Sequence, residues 1–250
     1  MRRRTILRIA VASAAVAAVP VMGHAAPAPP ASSAATPDAL GRPTQAISWV
    51  GRLVAPVTAR RAPRMSGRAV TVLQPVAPLG GGATVLQITD RAKDASGRVW
   101  VRVRLPIRPN GSQGWVPVDV LRLNTTRLRI RVDLSDRRLT LYRNNRRVMR
   151  VKVAVGTPEN PTPQGHFAVA ELIRTRTVGA FLGPIVFPLT AFSETLNEYA
   201  GGNGRVAMHG TNAPQLLGTR ASHGCIRIRN SDVVRMARIV RPGTPVDIVP

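Results

Sequence analysis

The sequence contains a single cysteine, Cys225, among its 250 residues. One thiol cannot form an internal disulfide, and it cannot supply a multi-cysteine zinc or iron–sulfur site. Aromatic residues make up only 4% of the chain, which leaves few platforms for stacking nucleic-acid bases. Acidic residues are also scarce, because 12 of them stand against 36 basic residues and give a formal net charge of +24. Without a second thiol in the chain, Cys225 therefore has either a packing role or a chemical one.

Lysine is nearly absent as well, since every basic residue except Lys93 and Lys152 is an arginine. Guanidinium is always charged and binds carboxylate or phosphate in a bidentate manner, so such a surface suits polyanionic surroundings. The arginines are spread along the chain and do not line one helix or zinc module, which argues against a nucleic-acid partner. A biased codon composition, expressed as solvated surface arginines, is the alternative explanation. An apolar share of 44% predicts a packed core.

The sequence also lacks an apolar run long enough to form a stable transmembrane segment. Four arginines within the first eight residues precede an apolar stretch at 9–21, and small residues follow at 23–26. This pattern predicts a signal peptide over residues 1–25, although an amphipathic anchor that stays attached is the alternative. Arg3 and Arg4 also permit a twin-arginine signal, so Sec and Tat export both remain open. We expect an exported protein of the periplasm, the cell wall or the extracellular side of the membrane.

Residues 26–43 hold five prolines among alanine, serine and threonine, which predicts an extended linker. From about residue 47 the chain changes to short β-like runs separated by turns that contain proline or glycine. These runs lie at 48–55, 69–73, 84–89, 99–105 and 115–121. The pattern predicts a small β domain over residues 44–126.

The run at 99–105 alternates with period two and is followed, after a turn, by Gly114-Trp115-Val116-Pro117. This pair of runs resembles the end of a bacterial SH3-like domain, and the resemblance covers residues 48–123. It implies a small SH3-like barrel, which in that family either binds cell-wall peptides or packs against a catalytic partner. We expect Trp100 and Trp115 to pack in the core of the barrel, with ligand stacking as the alternative.

The second half of the chain also has the patterns of strands. Alternating runs at 128–134 and 138–143 predict a hairpin, and 146–155 predicts a third strand. Short strands are predicted at 206–209 and 245–249 as well. Three prolines exclude regular structure over most of 156–165.

Two further segments of this half concern a helix and a cleft. Asn230 to Asp232 has the composition of an N-cap for a helix whose apolar face runs from Val233 to Val240. The segment 181–194, together with the glycine-rich 201–204, is long and moderately apolar, and we expect it to form a rim over a cleft.

The chemistry is centred on Cys225, which follows His209 by sixteen residues. A thiol is a poor nucleophile until a nearby imidazole takes its proton, and imidazole can later return that proton to a leaving amine. Gly224 allows a sharp turn at which backbone amides can face a developing oxyanion. The ingredients for acyl transfer are therefore present, while a buried structural cysteine beside two satisfied histidines and a chance metal site are the alternatives.

The order of residues narrows the class of enzyme. All four histidines precede Cys225, whereas papain-like and NlpC-type wall hydrolases have their cysteine before the histidine. A zinc site of His209, His223 and Cys225 fits by ligand type, but a water-activating centre of this kind needs a supporting acid that the sequence does not offer nearby. A zinc site is therefore disfavoured.

Two motifs together resemble the signature of the L,D-transpeptidases of the YkuD family. They are His209-Gly210-Thr211 and, after a fixed step, the segment 222–227, which reads Ser-His-Gly-Cys-Ile-Arg. The segment 162–167 is similar to the Thr-Pro-x-Gly-x-Phe loop of that family, and 139–142 matches its early strand. The resemblance spans 127–249. It implies a mainly β chain in which an SH3-like barrel precedes a β-rich, sandwich-type catalytic domain, at 127–250, with one or two short helices.

The resemblance also implies roles for individual residues. Cys225 would attack the carbonyl that follows the third residue of a peptidoglycan tetrapeptide stem and release the terminal D-alanine, a mechanism that requires neither a metal nor an organic cofactor. His209 would be its acid/base partner, and the carbonyl of Gly210 would orient His209. Substrate binding would fall to Arg227, which would hold a carboxylate, and to Asn230, for which a helix-cap role is slightly favoured. The remaining orienting and oxyanion positions lie in the loop that carries the cysteine: Ser222, His223 and Gly224.

Three functions from different classes follow from this assignment. In an L,D-transpeptidase, an amine of a neighbouring stem, typically that of diaminopimelate, would attack the thioester and form a cross-link. Such an enzyme serves peptidoglycan biosynthesis, cell-wall organisation and cell shape. Attack by water would make the same residues an L,D-carboxypeptidase-type wall hydrolase, and a non-catalytic wall-binding protein is the third alternative. The expected partners are stem peptides and an anionic wall or membrane surface.

Overall fold

The computed structural model describes residues 44, 46–175, 179, 181–198 and 201–250. These residues belong to one compact unit. The predicted signal peptide, 1–25, and the predicted linker, 26–43, lie outside the described residues. Within the described part of the chain, no helix is long and apolar enough to cross a membrane.

The N-terminal part forms a seven-stranded antiparallel sheet with the strand order β3-β2-β6-β5-β4-β1-β7. Its strands are β1 (Ser48–Leu53), β2 (Val57–Arg60), β3 (Ala69–Leu73), β4 (Val85–Lys93), β5 (Val99–Arg104), β6 (Gln113–Pro117) and β7 (Leu121–Thr126). All five predicted runs contain a strand. The last of them is divided, because β6 ends at Pro117 and a 3-10 turn over Val118–Val120 precedes β7.

Side chains such as Leu53, Ile88 and Val101 build a hydrophobic core within this sheet, and Trp100 is not among the residues of that core. Trp100 is fully buried within β5, and its indole nitrogen donates a hydrogen bond to Asp94 Oδ2 at 2.9 Å. Trp115 is half-buried on β6. The tryptophans thus differ in their surroundings, since Trp100 is an interior residue and Trp115 keeps one side open. The SH3-like assignment of this sheet stays a prediction.

The C-terminal part forms a ten-stranded mixed sheet with the order β11-β17-β8-β9-β10-β16-β14-β13-β12, and β15 pairs with β10 off this path. Its strands are β8 (Leu128–Asp133), β9 (Arg138–Arg143), β10 (Arg146–Gly156), β11 (Gly165–Ala168), β12 (Ile173–Arg174), β13 (Ile185–Phe192), β14 (Arg205–His209), β15 (Arg220–Ser222), β16 (Ile226–Ile228) and β17 (Pro245–Val249). The predicted hairpin is β8–β9, which pairs in an antiparallel register.

The long strand β10 joins the two halves of this sheet, because it pairs with β9 on one side and with β16 on the other. An isolated bridge between Val169 and Leu189 brings the β11 end back to β13. The two halves therefore face each other across one apolar core that includes Phe167 and Phe187. This arrangement confirms the prediction of a mainly β, sandwich-type fold.

One prediction for this half was wrong in part and another was wrong. Within the predicted rim, 185–192 is the strand β13, which is buried at all eight positions, whereas Phe181, Leu182, Ser193 and residues 201–204 do line a cleft. Asn230 is not the N-cap of the helix α1 (Asn230–Ala237), because Arg229 occupies that position and makes no side-chain capping bond. Asn230 is instead the first helical residue, and its side chain is used elsewhere.

Candidate active site

Cys225 and His209 are brought together by a pair of neighbouring parallel strands. The register of β14 and β16 pairs Met208 with Ile226 and His209 with Arg227. Cys225 therefore lies just before β16, beside Ala207, while His209 ends the adjacent strand. Cys225 and His209 both line a cleft of about 650 Å³. The parallel pairing of two short strands explains how residues sixteen positions apart in sequence share one site.

The His209 ring is held by the backbone that follows it. Its Nδ1 lies 2.5 Å from the carbonyl oxygen of Gly210, and the residue is only 1% exposed. A carbonyl oxygen can only accept a hydrogen bond, so the neutral ring carries its proton on Nδ1. Nε2 is then left with the lone pair, which is the arrangement that a general base requires.

The surroundings favour the neutral forms of both groups. Burial lowers the pKa of His209 to about 4, with a smaller contribution from the positive charge of Arg227, while the carbonyls of Gly210 and Leu182 act in the opposite direction. Burial also raises the pKa of the Cys225 thiol, against the effects of the Ala207 backbone and of Arg227. Cys225 nevertheless keeps part of its surface open to the cleft. The resting site is therefore a neutral thiol beside a neutral imidazole.

The loop that carries the cysteine is fixed by Ser222. The Ser222 hydroxyl donates to the carbonyl of Cys225 at 2.5 Å and accepts from the amide of Gly224 at 3.2 Å. Gly224 has a φ of +107°, a value that side-chain-bearing residues rarely adopt. The Gly224 amide is thus engaged within the loop in this structure, and the glycine provides the turn before the cysteine. His223 is exposed on the cleft.

Thr162 holds the same loop from the opposite side, although sequence reasoning did not single it out as a site residue. Its buried hydroxyl donates to the carbonyl of Gly224 at 2.9 Å and accepts from the amide of Gly156 at 2.9 Å. The signal was present in the Thr-Pro-x-Gly-x-Phe resemblance, where a threonine stands at this position. Its role became visible only when the fold brought the loop at 156–165 against the cysteine.

Arg227 supplies a positive charge inside the cleft. It is 6% exposed, and within the described residues its buried Nε atom has no hydrogen-bond partner. Its guanidinium carbon lies 4.8 Å from the ring centroid of Phe181, which itself lies 5.9 Å from the ring of His209. No carboxylate of the described residues forms an ion pair with Arg227. A buried guanidinium with unused donors is suited to bind an anionic group of a ligand.

Asn230 acts on the backbone next to His209. Its Oδ1 atom accepts a hydrogen bond from the amide of Thr211 at 2.8 Å. A Cβ atom added to either Gly183 or Gly210 would collide with this oxygen. The Asn230 side chain is therefore packed against the backbone of Gly183 and Gly210. Asn230 thus supports the turn whose Gly210 carbonyl orients His209.

The cleft also contains residues from outside the catalytic motifs. Its walls include Leu79, which comes from the loop between β3 and β4 of the N-terminal sheet, and residues 201–204. The SH3-like resemblance allows packing against a catalytic partner, but no sequence pattern indicated that Leu79 lines the cleft. Among the described residues, no group of three or more His, Cys, Asp or Glu residues could hold a metal ion.

Comparison with known proteins agrees with this geometry. The profile of the YkuD family, described as the L,D-transpeptidase catalytic domain, matches residues 127–248. Two proteins that carry the provisional name L,D-transpeptidase YkuD are similar to the same half. The protein of Bacillus licheniformis is 36% identical over 127 residues, which cover 51% of this chain and 68% of the relative. That of Bacillus subtilis is 36% identical over 119 residues, which cover 48% and 64%.

This chain belongs to the YkuD family of L,D-transpeptidase catalytic domains. It spans about two thirds of the length of the two Bacillus relatives. A solved L,D-transpeptidase from Mycobacterium tuberculosis H37Rv is a more distant likeness, with 17% identity, a TM-score of 0.41, and coverage of 61% of this chain and 90% of that chain.

Proposed function

We propose that this protein is a peptidoglycan L,D-transpeptidase that works through a thioester on Cys225. The observation that supports the proposal most is the proximity of Cys225 to the strand that ends in His209, whose Nδ1 is bonded to the Gly210 carbonyl. Because that bond leaves Nε2 as the acceptor, the imidazole is prepared to take the proton of the thiol.

In the first half of the reaction, the thiol proton moves to His209 Nε2 while sulfur attacks the carbonyl carbon after the third residue of a tetrapeptide stem. The negative charge on the carbonyl oxygen is stabilised by the backbone amide of Cys225. The tetrahedral intermediate collapses, the C–N bond breaks, and His209 gives its proton to the departing nitrogen of D-alanine. A thioester between the stem and Cys225 remains.

In the second half, an amine of a neighbouring stem attacks the thioester. His209 takes a proton from that amine, the C–S bond breaks, and the proton returns to sulfur, which regenerates the thiol. The product is a cross-link between two stems. Water in place of the amine would release a tripeptide stem, and the hydrolase alternative therefore differs only in the acceptor.

The donor stem carries carboxylates, and Arg227 is the group of the cleft that we assign to one of them. Its buried guanidinium lacks an ion-pair partner among the described residues, so a bound carboxylate would satisfy donors that are unused without substrate. We further propose that the enzyme is exported by the signal predicted for residues 1–25 and acts at the wall, outside the cytoplasmic membrane.

The test is acylation by a carbapenem, an inhibitor class to which this family responds. Because Cys225 is the only cysteine of the chain, intact-mass spectrometry reads the adduct without ambiguity. We expect a one-to-one adduct on the wild type and none on Cys225→Ala. His209→Gln should slow adduct formation by about 100-fold or more, since it removes the general base. An adduct of unchanged mass on Cys225→Ala would refute the proposal.

The same variant separates the enzyme from the non-catalytic wall binder. If the protein only binds the wall, Cys225→Ala would retain its function in cells. Under our proposal, that variant is folded, still reaches the wall and fails to restore the cross-links of a strain that lacks the protein.

A further inference from the structure

A loop of the N-terminal sheet is hydrogen-bonded to one wall of the cleft. The wall consists of residues 193–198 and 201–204, which we call the rim. Arg108, in the loop between β5 and β6, donates from Nη1 to the carbonyl of Ser193 at 2.6 Å and from Nη2 to that of Leu196 at 3.0 Å. Nη2 also lies 3.5 Å from the carbonyl of Asn203. All three carbonyls belong to residues that line the cleft with Cys225.

The same loop is also hydrogen-bonded to the last residue of β13, the strand that leads into the rim. The side-chain amide of Asn110 donates to the carbonyl of Phe192 at 2.8 Å, and its Oδ1 accepts from the amide of Phe192 at 2.8 Å. This two-way pairing satisfies both backbone groups of the last residue of β13, as a neighbouring strand would. The Phe192 ring lies 5.0 Å from the Arg108 guanidinium and 5.1 Å from that of Arg205.

A second loop of the N-terminal sheet is bound to the C-terminal sheet by Glu171. The carboxylate of Glu171, which is 4% exposed, accepts from the amide of Gly80 at 2.6 Å and from that of Leu79 at 3.2 Å. A Cβ atom at Gly80 would stand 2.8 Å from Ile173, so the loop lies directly on the C-terminal sheet. These contacts hold Leu79 where it lines the cleft.

The rim is stabilised in part by Ser193, whose hydroxyl accepts from the amides of Thr195 at 3.4 Å and Leu196 at 3.1 Å. Residues 201–204 contain three glycines, and the Ser193 amide donates to the Gly204 carbonyl at 2.8 Å. A glycine-rich backbone loses much conformational entropy when it becomes ordered. The donors of Arg108 and Asn110 add a second set of hydrogen bonds that holds the backbone of this wall.

We propose that Arg108 and Asn110 are positioning residues for the substrate cleft, so that the N-terminal sheet forms part of the site at which a stem peptide binds. The inference rests on the proposed function, because it concerns the same cleft. It assigns to the first half of the chain a role in binding peptide beside the cysteine, which is distinct from attachment to the wall at a separate surface.

The experiment compares two reactions of the full protein. Arg108→Ala and Asn110→Ala should raise the KM for stem peptides in cross-linking by about tenfold, the effect expected when hydrogen bonds to one side of a binding wall are lost. Their kcat should change less than KM. Carbapenem acylation should stay within about twofold of the wild type, since a small inhibitor reacts at Cys225 on strands that these side chains do not touch.

Three controls separate this role from a merely structural one. Arg68→Ala removes an exposed arginine of the same sheet and should leave both reactions unchanged. Arg108→Lys keeps the charge but not the planar fork, and should recover only part of the KM. Amide hydrogen exchange should increase in the rim and not in β14 or β16.

Each contrary result has a definite meaning. An unchanged KM for both variants overturns the inference. An equal loss of carbapenem acylation and of cross-linking also overturns it, because the side chains would then support the whole fold and not the peptide cleft. A wild-type protein that neither forms the adduct nor cross-links stems refutes the proposed function itself, which is a different outcome from a normal wild type beside unaffected variants.

Discussion

At the scale of single residues, Cys225 and His209 are both held in their neutral forms by burial. The pKa of the thiol is raised and that of the imidazole is lowered to about 4, so a preformed thiolate–imidazolium pair is disfavoured in the resting site. Such a cysteine is protected from indiscriminate reaction and depends on the transfer of its proton during attack. Under the proposed function, we therefore expect the sole cysteine of the chain to react chiefly with substrates that enter the cleft.

The first prediction concerns the pH dependence of acylation. Above its pKa of about 4, His209 is neutral and can accept the thiol proton, whereas below it the imidazolium cannot. We expect the rate of carbapenem acylation to be lost only as the pH falls through about 4 and to show no step near the ordinary histidine pKa of about 6.5. Stopped-flow or mass-spectrometric rates give the profile, and circular dichroism at each pH verifies folding. A midpoint near 6.5 would contradict the assigned environment.

The second prediction concerns Arg227. Arg227→Met preserves the packing of the side chain but removes its charge-assisted hydrogen bonds to a substrate carboxylate. The kcat/KM for tetrapeptide stems should fall by about 10- to 100-fold, chiefly through KM. Arg227→Lys should recover part of this loss, because it restores charge without the bidentate fork.

A matched control is Arg229→Met, which removes an exposed arginine two residues away. This variant should behave as the wild type in steady-state kinetics. Equal kinetics for Arg227→Met and Arg229→Met would show that Arg227 has a packing role against Phe181 alone.

At the scale of elements, the loop at 156–165 and the loop at 222–225 are joined by the Thr157 amide, which donates to the Ser222 carbonyl at 3.0 Å, and by the side chain of Thr162. Among the described residues, only the Thr162 hydroxyl bonds both the Gly156 amide and the Gly224 carbonyl. These hydrogen bonds order the irregular, proline-rich loop at 156–165. The ordered loop in turn supports the turn before Cys225.

The third prediction follows from this bridge. Thr162→Val keeps the shape of the side chain but leaves a buried amide and a buried carbonyl without their partner. The free energy of unfolding should fall by about 1–3 kcal/mol, and carbapenem acylation should slow because the turn before Cys225 is loosened. Urea denaturation and intact-mass kinetics measure the two effects.

Two companion variants frame the result. Thr162→Ser should restore most of both quantities, because it returns the hydroxyl. Thr157→Val removes an acceptor for the Asn160 amide in a half-buried turn of the same loop and should cost less. Stability and acylation that are unaltered in Thr162→Val would contradict the bridging role.

The elements differ in how well the sequence predicted them. Alternating runs such as 128–134 and 138–143 predict their hairpin correctly, because a half-buried strand records its two faces in its residues. The strand β13 was taken for a rim, since a strand buried on both faces has no alternation and its flanking glycines are typical of loops. Asn230 was taken for a cap, because the preference for a capping side chain is local and the tertiary contact with Thr211 prevailed.

The residues of the site also differ in how far the sequence predicted them. His209 and Cys225 could be proposed from residue type and order, since proton transfer to imidazole requires such a pair, and the fold brings both to one cleft. Thr162, Arg108 and Leu79 could not be proposed in this way. Thr162 and Arg108 form hydrogen bonds with residues at least 60 positions away in the chain, and Leu79 lines a cleft built by another sheet. Residue chemistry is visible in sequence, whereas long-range hydrogen bonds to backbone carbonyls have no sequence pattern.

At the scale of the whole molecule, the strong positive charge is distributed over both sheets. The formal net charge of +24 makes the chain attractive to any polyanionic surface, and surface charges act over about 10 Å at 0.1 M salt. The cleft holds its own positive charge at Arg227, so the surface charge has a different use. We infer that it concentrates the enzyme at an anionic wall or membrane face.

The fourth prediction tests this role. The amount of protein bound to isolated cell walls should fall by about tenfold between low salt and about 1 M sodium chloride, where the screening length is about 3 Å. Cosedimentation measures the bound fraction, and walls stripped of their anionic polymers serve as the control. Binding that stays constant across the salt series would exclude an electrostatic role and leave codon bias as the explanation of the arginines.

The central claim is that a thioester on Cys225 is passed to an amine of a second stem. Mass spectrometry of the products from the purified protein and defined tetrapeptide stems tests it most directly, because it reports activity and reaction type together. We expect cross-linked stem dimers and one free D-alanine for each cross-link, both lost in Cys225→Ala. Free tripeptide stems without dimers would instead identify a hydrolase, and products that persist in Cys225→Ala would exclude a thioester on this cysteine.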